Sequence, residues 1–148
     1  MSVIESRWRE RQCRREDGIY FGTDDCIELC GSPREGYRAD IRAPVATILQ
    51  SAPDGWTDLD EICSGQAGDF QFFGGSTSWE GAGFVAVEQR STGHLLWLLH
   101  VTDAEQFIEI SSDGSTIRAI SEEYPFRSEW HIPIQSPETL TVIQAHDT

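Results

Sequence analysis

The chain has 148 residues, of which 39% are hydrophobic, with five tryptophans and a formal net charge of −14. That length suits one domain, residues 1–148, with its own core, and the apolar and aromatic content excludes a disordered chain. The acidity excludes the positive footprint that nucleic acid or an anionic membrane requires, and it favours a basic protein as partner.

The charge is uneven. Residues 1–15 carry five arginines against two glutamates, a net of +3, and the remainder carries six arginines against 23 acids, a net of −17. All 11 basic residues are arginine. The segment Met1–Arg7 lacks the apolar stretch of a secretory signal, and no run reaches transmembrane length. A cytosolic protein with reduced cysteines is the expectation.

In chain order, Val3, Ile4 and Trp8 stand near helical spacing, so residues 1–17 read as a helix or an arm. Acids interleave its cluster Arg7, Arg9, Arg11, Arg14 and Arg15, which predicts a salt-bridged surface segment folding back on the body. Gly18–Phe21 and Cys26–Cys30, joined by Gly22-Thr23-Asp24-Asp25, read as a hairpin. Tyr37, Ala39 and Ile41 alternate with charged residues as a half-exposed strand does, and Val45–Leu49 is a strand or a helical turn. Thr57–Cys63 reads as a short helix, with Thr57 as N-cap and Asp58, Asp60 and Glu61 in the first turn, where the helix dipole favours acids. Phe70–Phe73 is a compact strand, and Gly74–Gly83 is a flexible glycine-rich loop carrying Trp79.

The stretch Gly83–Ile134 has the clearest pattern, an antiparallel meander of strands over Phe84–Arg90, His94–Val101, Gln106–Ser112, Thr116–Ser121 and Arg127–Ile134. Asp113-Gly114 is a two-residue hairpin signal, because both residues tolerate positive φ. Thr139–Gln144 adds an edge strand, and His146–Thr148 is expected to fray. The fold class that follows is mainly β (α+β): an antiparallel meander forming a curved sheet or open barrel with one or two short helices.

No catalytic or cofactor motif stands out. Gly74-Gly75-Ser76-Thr77-Ser78 lacks the second glycine of a nucleophile elbow, and a phosphate-binding loop needs a lysine that the chain does not have. Cys26 and Cys30 on one strand would sit roughly 13 Å apart, too far to clamp an ion or form a disulfide, so buried free cysteines are expected. His94 and His100 are predicted on one face of a strand, and His131 on a polar face with Glu109 or Glu129 in reach. That arrangement supports an alternative reading as a ligand-binding or enzymatic β domain, its pocket lined by Trp97, Trp130 and the histidines.

The acidic groups Asp24-Asp25-Glu28, Asp58-Asp60-Glu61 and Glu122-Glu123 lack the ligand spacing of a calcium loop. They read instead as a negative field that steers a basic partner, with Trp56 and Trp79 as exposed anchors. Acids in rows at phosphate-like spacing would make a DNA mimic, the third option.

The meander Gly83–Ile134, with Trp97, Tyr124-Pro125-Phe126 and Trp130-His131-Ile132-Pro133-Ile134, resembles the immunity proteins of bacterial polymorphic-toxin and contact-dependent systems. The resemblance implies a non-enzymatic inhibitor without cofactor or metal that blocks the active site of a cognate toxin. For a cytosolic chain, that toxin would be a nuclease or nucleotide-degrading enzyme. The partner-binding residues expected on charge and aromaticity are Asp24, Asp25, Trp56, Asp58, Asp60, Glu61, Trp79, Glu122 and Glu123.

Overall fold

The computed structural model describes residues 2–79, 81–123 and 126–146; Tyr124, Pro125, Asp147 and Thr148, and with them most of the expected fraying segment, lie outside the described residues. After helix α1 (Val3–Arg9) come strands β1 (Gln12–Arg14), β2 (Gly18–Phe21), β3 (Asp25–Ser32), β4 (Gly36–Ala39) and β5 (Ala43–Pro44), then helix α2 (Ala46–Ser51). Strands β6 (Trp56–Ala67), β7 (Phe70–Thr77), β8 (Gly83–Gln89) and β9 (Leu95–Val101) follow. The last four are β10 (Phe107–Ser112), β11 (Thr116–Glu123), β12 (Phe126–Pro133) and β13 (Thr141–His146). Among the described residues the fold is mainly β, built of antiparallel sheets with two short helices and no closed barrel.

Two sheets form. The larger runs in the order β1-β6-β7-β8-β9-β2-β3-β4, with β5 also on β3; the smaller runs β10-β11-β12-β13. One face of the large sheet, carrying Ile19, Ile27, Val85, Val87, Trp97 and Leu99, packs on Ile117, Ala119, Trp130 and Ile132 of the small sheet. The opposite face carries Tyr20, Cys26, Phe84, Ala86 and Leu98, and is covered by Ile4 and Trp8 of α1, Cys13 of β1, and Ile48 and Leu49 of α2. Strands β8 and β9 are therefore buried on both faces, which is why they read as nearly unbroken apolar runs. A register shift opposite Val87 and Glu88 passes over Leu96, so that Leu95 faces the helices while Trp97 faces the small sheet.

Several expectations change. The meander is not one sheet: after β9 a 3-10 turn at Thr102–Ala104 and Glu105, at φ 60°, carry the chain off the large sheet to start the small one. Thr57–Cys63 is not a helix but part of β6. Thr57 and Leu59 turn inward while Asp58 and Asp60 stand exposed, a period of two, with β1 pairing on one side and β7 on the other. The acids that resemble a first helical turn are the solvent row of a strand.

Gly74–Gly83 is not a free loop either, because β7 continues to Thr77 and only the residues between it and β8 turn. Gly74 and Gly83 make room for β10 and the residues just before it. A Cβ on Gly83 would collide with the Glu105 carbonyl oxygen, and one on Gly74 would lie 3.0 Å from Cys63 Sγ and 3.4 Å from Phe107 Cβ. The ambiguous Val45–Leu49 segment contributes to α2, the 1–17 segment to α1 and β1. The β2–β3 hairpin and the edge strand at β13 stand where the sequence puts them; the chain also turns at Asp113-Gly114, but through the three residues 113–115 rather than two, with Gly114 and not Asp113 at positive φ.

Candidate functional site

Helix α1 begins under two caps. Ser2 Oγ accepts the N–H of Glu5, and the carboxylate of Asp24, twenty residues on, accepts those of Val3 and Ile4, each at 3.0 Å. These satisfy donors that the first turn leaves without intrahelical partners. Asp24 reaches them from a backbone at φ 67°. Expected as a partner residue, it is engaged as a helix cap. Its neighbour Asp25 is ion-paired with Arg42 at 3.3 Å, and Arg42 lies 3.7 Å over the Phe21 ring.

The arginines of the N-terminal segment fold back on the body, but mostly onto aromatic rings rather than acids. Arg11 lies 4.0 Å over Trp8, Arg7 and Arg14 lie 4.6 and 5.0 Å from the Trp56 ring, and Arg15 lies 4.4 Å over Trp79. Each such contact contributes on the order of 0.5–2 kcal/mol, more as it is shielded from water. Arg14 is fully buried; it pairs with Glu16 and donates to the Ala52 carbonyl at 2.7 Å. Trp56 and Trp79 are consequently half-buried beneath cations of their own chain rather than free-standing anchors.

The three acidic groups fare differently. Asp24 and Asp25 are occupied as above. Glu122 pairs with Arg127 at 3.6 Å, and the same guanidinium reaches Glu109 at 3.8 Å; the side chain of Glu123 lies outside the described residues. Asp58, Asp60 and Glu61 stay outward on β6, with exposed Asp54 just before it. Asp58 accepts a hydrogen bond from Gln12 at 3.1 Å. None of these four is ion-paired among the described residues. The structure thus brings Asp58, Asp60 and Glu61 together on one strand and leaves the other two groups on separate elements.

The histidines do not converge. His94 precedes β9, is exposed, and lies 3.1 Å from Glu5; His100 is fully buried, 3.6 Å from Asp17; His131 lies 2.7 Å from Glu129. The Leu96 shift undoes the expected shared face of His94 and His100. Hydrogen bonds from Arg118 and then His131 hold Glu129 below the usual carboxylate range. Trp97 and Trp130 pack in the core between the sheets instead of lining a pocket; their indole N–H groups donate to the Ile134 carbonyl and Ser128 Oγ. The cleft beside His131, about 410 Å³, lies on the surface, lined by Ser111, Ser112, Asp113, Thr116 and Arg118.

All four cysteines are free: Cys13 and Cys26 are buried as expected, whereas Cys63 is half-buried and Cys30 exposed. Burial, reinforced by Glu61, pushes the Cys63 thiol up to about 11. Among the described residues no three acids, histidines or cysteines stand where they could hold a metal, and no helix is long and apolar enough to cross a membrane.

Sequence reading passed over two buried or half-buried charged residues and put a third, Arg14, on the surface, whereas the structure buries it. Glu5 accepts the Leu95 N–H at 2.8 Å, Asp17 accepts both the N–H and hydroxyl of Thr102, and Arg14 is described above. The partners of Glu5 and Asp17 are 85 to 90 residues away, where local pattern carries no sign of them, whereas Arg14 pairs with Glu16 two residues on. Comparison with known proteins returns no match: no family model fits the chain, and neither a curated protein nor a solved structure matches it.

Proposed function

We propose that this protein is a small acidic binding protein that neutralises a cognate basic protein in the cytosol, as an immunity protein blocks a toxin. One observation carries the reading. Asp54, Asp58, Asp60 and Glu61 face solvent on and beside β6 and, among the described residues, make no ion pairs, whereas Arg14 is buried against Glu16 and Arg7, Arg11 and Arg15 lie over the chain's own rings. Those four acids are the exposed acidic patch that a basic partner would meet.

The mechanism is physical. Acids on β6 draw in and then pair with the arginines or lysines by which a nuclease or nucleotide-degrading enzyme grips phosphate, and Ile62, 42% exposed among them, offers an apolar contact. A partner recovered on the tagged protein supplies the test. Neutralising Asp58, Asp60 and Glu61 together (Asp→Asn, Glu→Gln) lowers the association rate by about tenfold at low salt and flattens its dependence on ionic strength. An association rate indifferent to both salt and substitution overturns the proposal.

The alternative, a ligand-binding or enzymatic domain, has the Glu129–His131 pair beside its surface cleft in its favour. It requires a small molecule that co-purifies with the native chain and is lost with His131→Asn.

A further inference from the structure

The inner face of the small sheet changes character along its strands. Ile117 lies opposite Ile132, and Trp130 lies between Ala119 and Val142; these rows meet the large sheet in the core. Two residues further along, the row is Ser121, Ser128 and Gln144, one on each of three adjacent strands. Ser121 and Ser128 are 4% and 6% exposed, so they hold the place of core residues without being apolar. A buried hydroxyl calls for a hydrogen-bond partner. Ser128 Oγ accepts the Trp130 indole N–H at 2.9 Å, whereas Ser121 Oγ has no hydrogen bond among the described residues.

This row opens into a cleft of about 110 Å³, bounded by Pro33 after β3 and by Asp103, Ala104 and Glu105 at the turn that follows β9. At about 30 Å³ per water it has room for about three or four waters, far below the roughly 300 Å³ at which small-molecule sites begin. That is the size of one side-chain head group. Its walls are acidic. Asp103 is exposed and makes neither hydrogen bond nor ion pair among the described residues. Arg127, which also lines the cleft, is held by Glu122 at 3.6 Å and Glu109 at 3.8 Å. Tyr37 packs on Trp130, with ring centroids 5.2 Å apart, and its buried hydroxyl has no partner; burial, then the charges of Asp17 and Asp103, push that hydroxyl up.

We propose that this cleft is the socket for one arginine side chain of a basic partner, its guanidinium held by Asp103, Ser121, Ser128 and Gln144. The proposal rests on the reading of a basic partner and names the group that partner presents. A guanidinium carries five N–H donors in one plane and no acceptor. Against it the cleft sets the two carboxylate oxygens of Asp103, the free hydroxyl of Ser121, the second lone pair of Ser128 and the amide oxygen of Gln144. Neighbouring strands stand about 4.8 Å apart, so the row offers its oxygens in a line that a planar fork spans better than a compact ammonium.

The test is an NMR titration of the whole isotope-labelled chain with Nα-acetyl-arginine amide, its lysine and citrulline counterparts, and free arginine. Blocked arginine shifts the amides of Asp103, Ser121, Ser128 and Gln144 with a millimolar Kd. Lysine binds about threefold more weakly or worse, and citrulline, which keeps the shape without the charge, leaves these amides unmoved. Asp103→Asn raises the Kd about tenfold, as loss of a charge-assisted contact does, and Ser121→Ala raises it about threefold. Because Asp103 is exposed, an unchanged unfolding curve for Asp103→Asn separates lost binding from lost fold. Absence of these shifts overturns the proposal, as does their confinement to Asp58, Asp60 and Glu61, equal binding of lysine or citrulline, or a Kd that Asp103→Asn leaves unchanged. Free arginine binding more tightly than the blocked form overturns it too, and makes the occupant a small molecule. No partner enters the titration, so failure here is distinct from failure of the β6 acids to speed association.

Discussion

Asp24 offers the sharpest test of how the N-terminal segment is held. Asp24→Ala removes the acceptor for the Val3 and Ile4 N–H groups, both at 3.0 Å, at a cost of about 1–2 kcal/mol typical of a lost N-cap. It also places alanine at φ 67°, where a Cβ costs about a further 1 kcal/mol that aspartate partly recovers through local hydrogen bonding. The expected total is about 2–3 kcal/mol. Asp24→Gly loses the cap but not the backbone fit, so it should cost about 1 kcal/mol less than alanine. Urea denaturation followed by tryptophan fluorescence measures both, and at this chain length each kcal/mol lowers the melting temperature by about 2–4 °C. An alanine variant within about 0.5 kcal/mol of the parent would falsify the capping role. Equal losses for alanine and glycine would remove the strain argument.

Other expectations follow from the same geometry. Gly83→Ala forces a methyl group against the Glu105 carbonyl and the Phe107 ring, and should destabilise by about 1–3 kcal/mol in denaturant unfolding as β10 is pushed outward; a neutral result contradicts the close approach of the sheets. Burial pushes the Glu5 carboxyl up, but hydrogen bonds from the Leu95 N–H and His94 outweigh it and leave it below its ordinary 4.5. Its contribution to stability is therefore complete above that pH and lost as pH falls through the lower folded value, and Glu5→Gln should flatten stability over that acid range in pH-dependent melts. A thiol probe on the native protein should label Cys30 fast, Cys63 slowly, and Cys13 and Cys26 only on unfolding; a fast phase that survives Cys30→Ser contradicts the burial pattern.

What the sequence made legible was whatever depends on neighbours along the chain. Asp113-Gly114 declared its turn because the geometry is local: Asp113 Oδ1 accepts the N–H groups of Ser115 and Thr116, and Gly114 takes φ 98°. The strands of the meander were readable for the same reason, although the handover between sheets at Glu105 was not. Thr57–Cys63 misled because acids crowd a helix's first turn and a strand's solvent face alike, and the register shift at Ile62 blurs the alternation that separates them. Gly74 and Gly83 looked like slack because the strand they admit, β10, lies outside their local sequence. Among the expected site residues, Asp58, Asp60 and Glu61 kept their outward place. Asp24 and the rings of Trp56 and Trp79 had partners a score or more residues away, Arg7 being 49 residues from Trp56, where no local pattern reaches.

Helix α1 is fastened to parts of the chain made long after it: Trp8 to Glu88, Arg9 to Gly93, and Glu5 to Leu95, up to 90 residues downstream. During synthesis its apolar face, Ile4 and Trp8, has no surface to cover it until β8 and β9 have left the ribosome. At translation rates of about 5–20 residues per second the wait is roughly 5 to 20 s. Throughout that interval the nascent segment is a short, positively charged, tryptophan-bearing peptide open to chaperones and to other chains. The helix thus forms early and is covered late, by strands made some 80 to 90 residues after it.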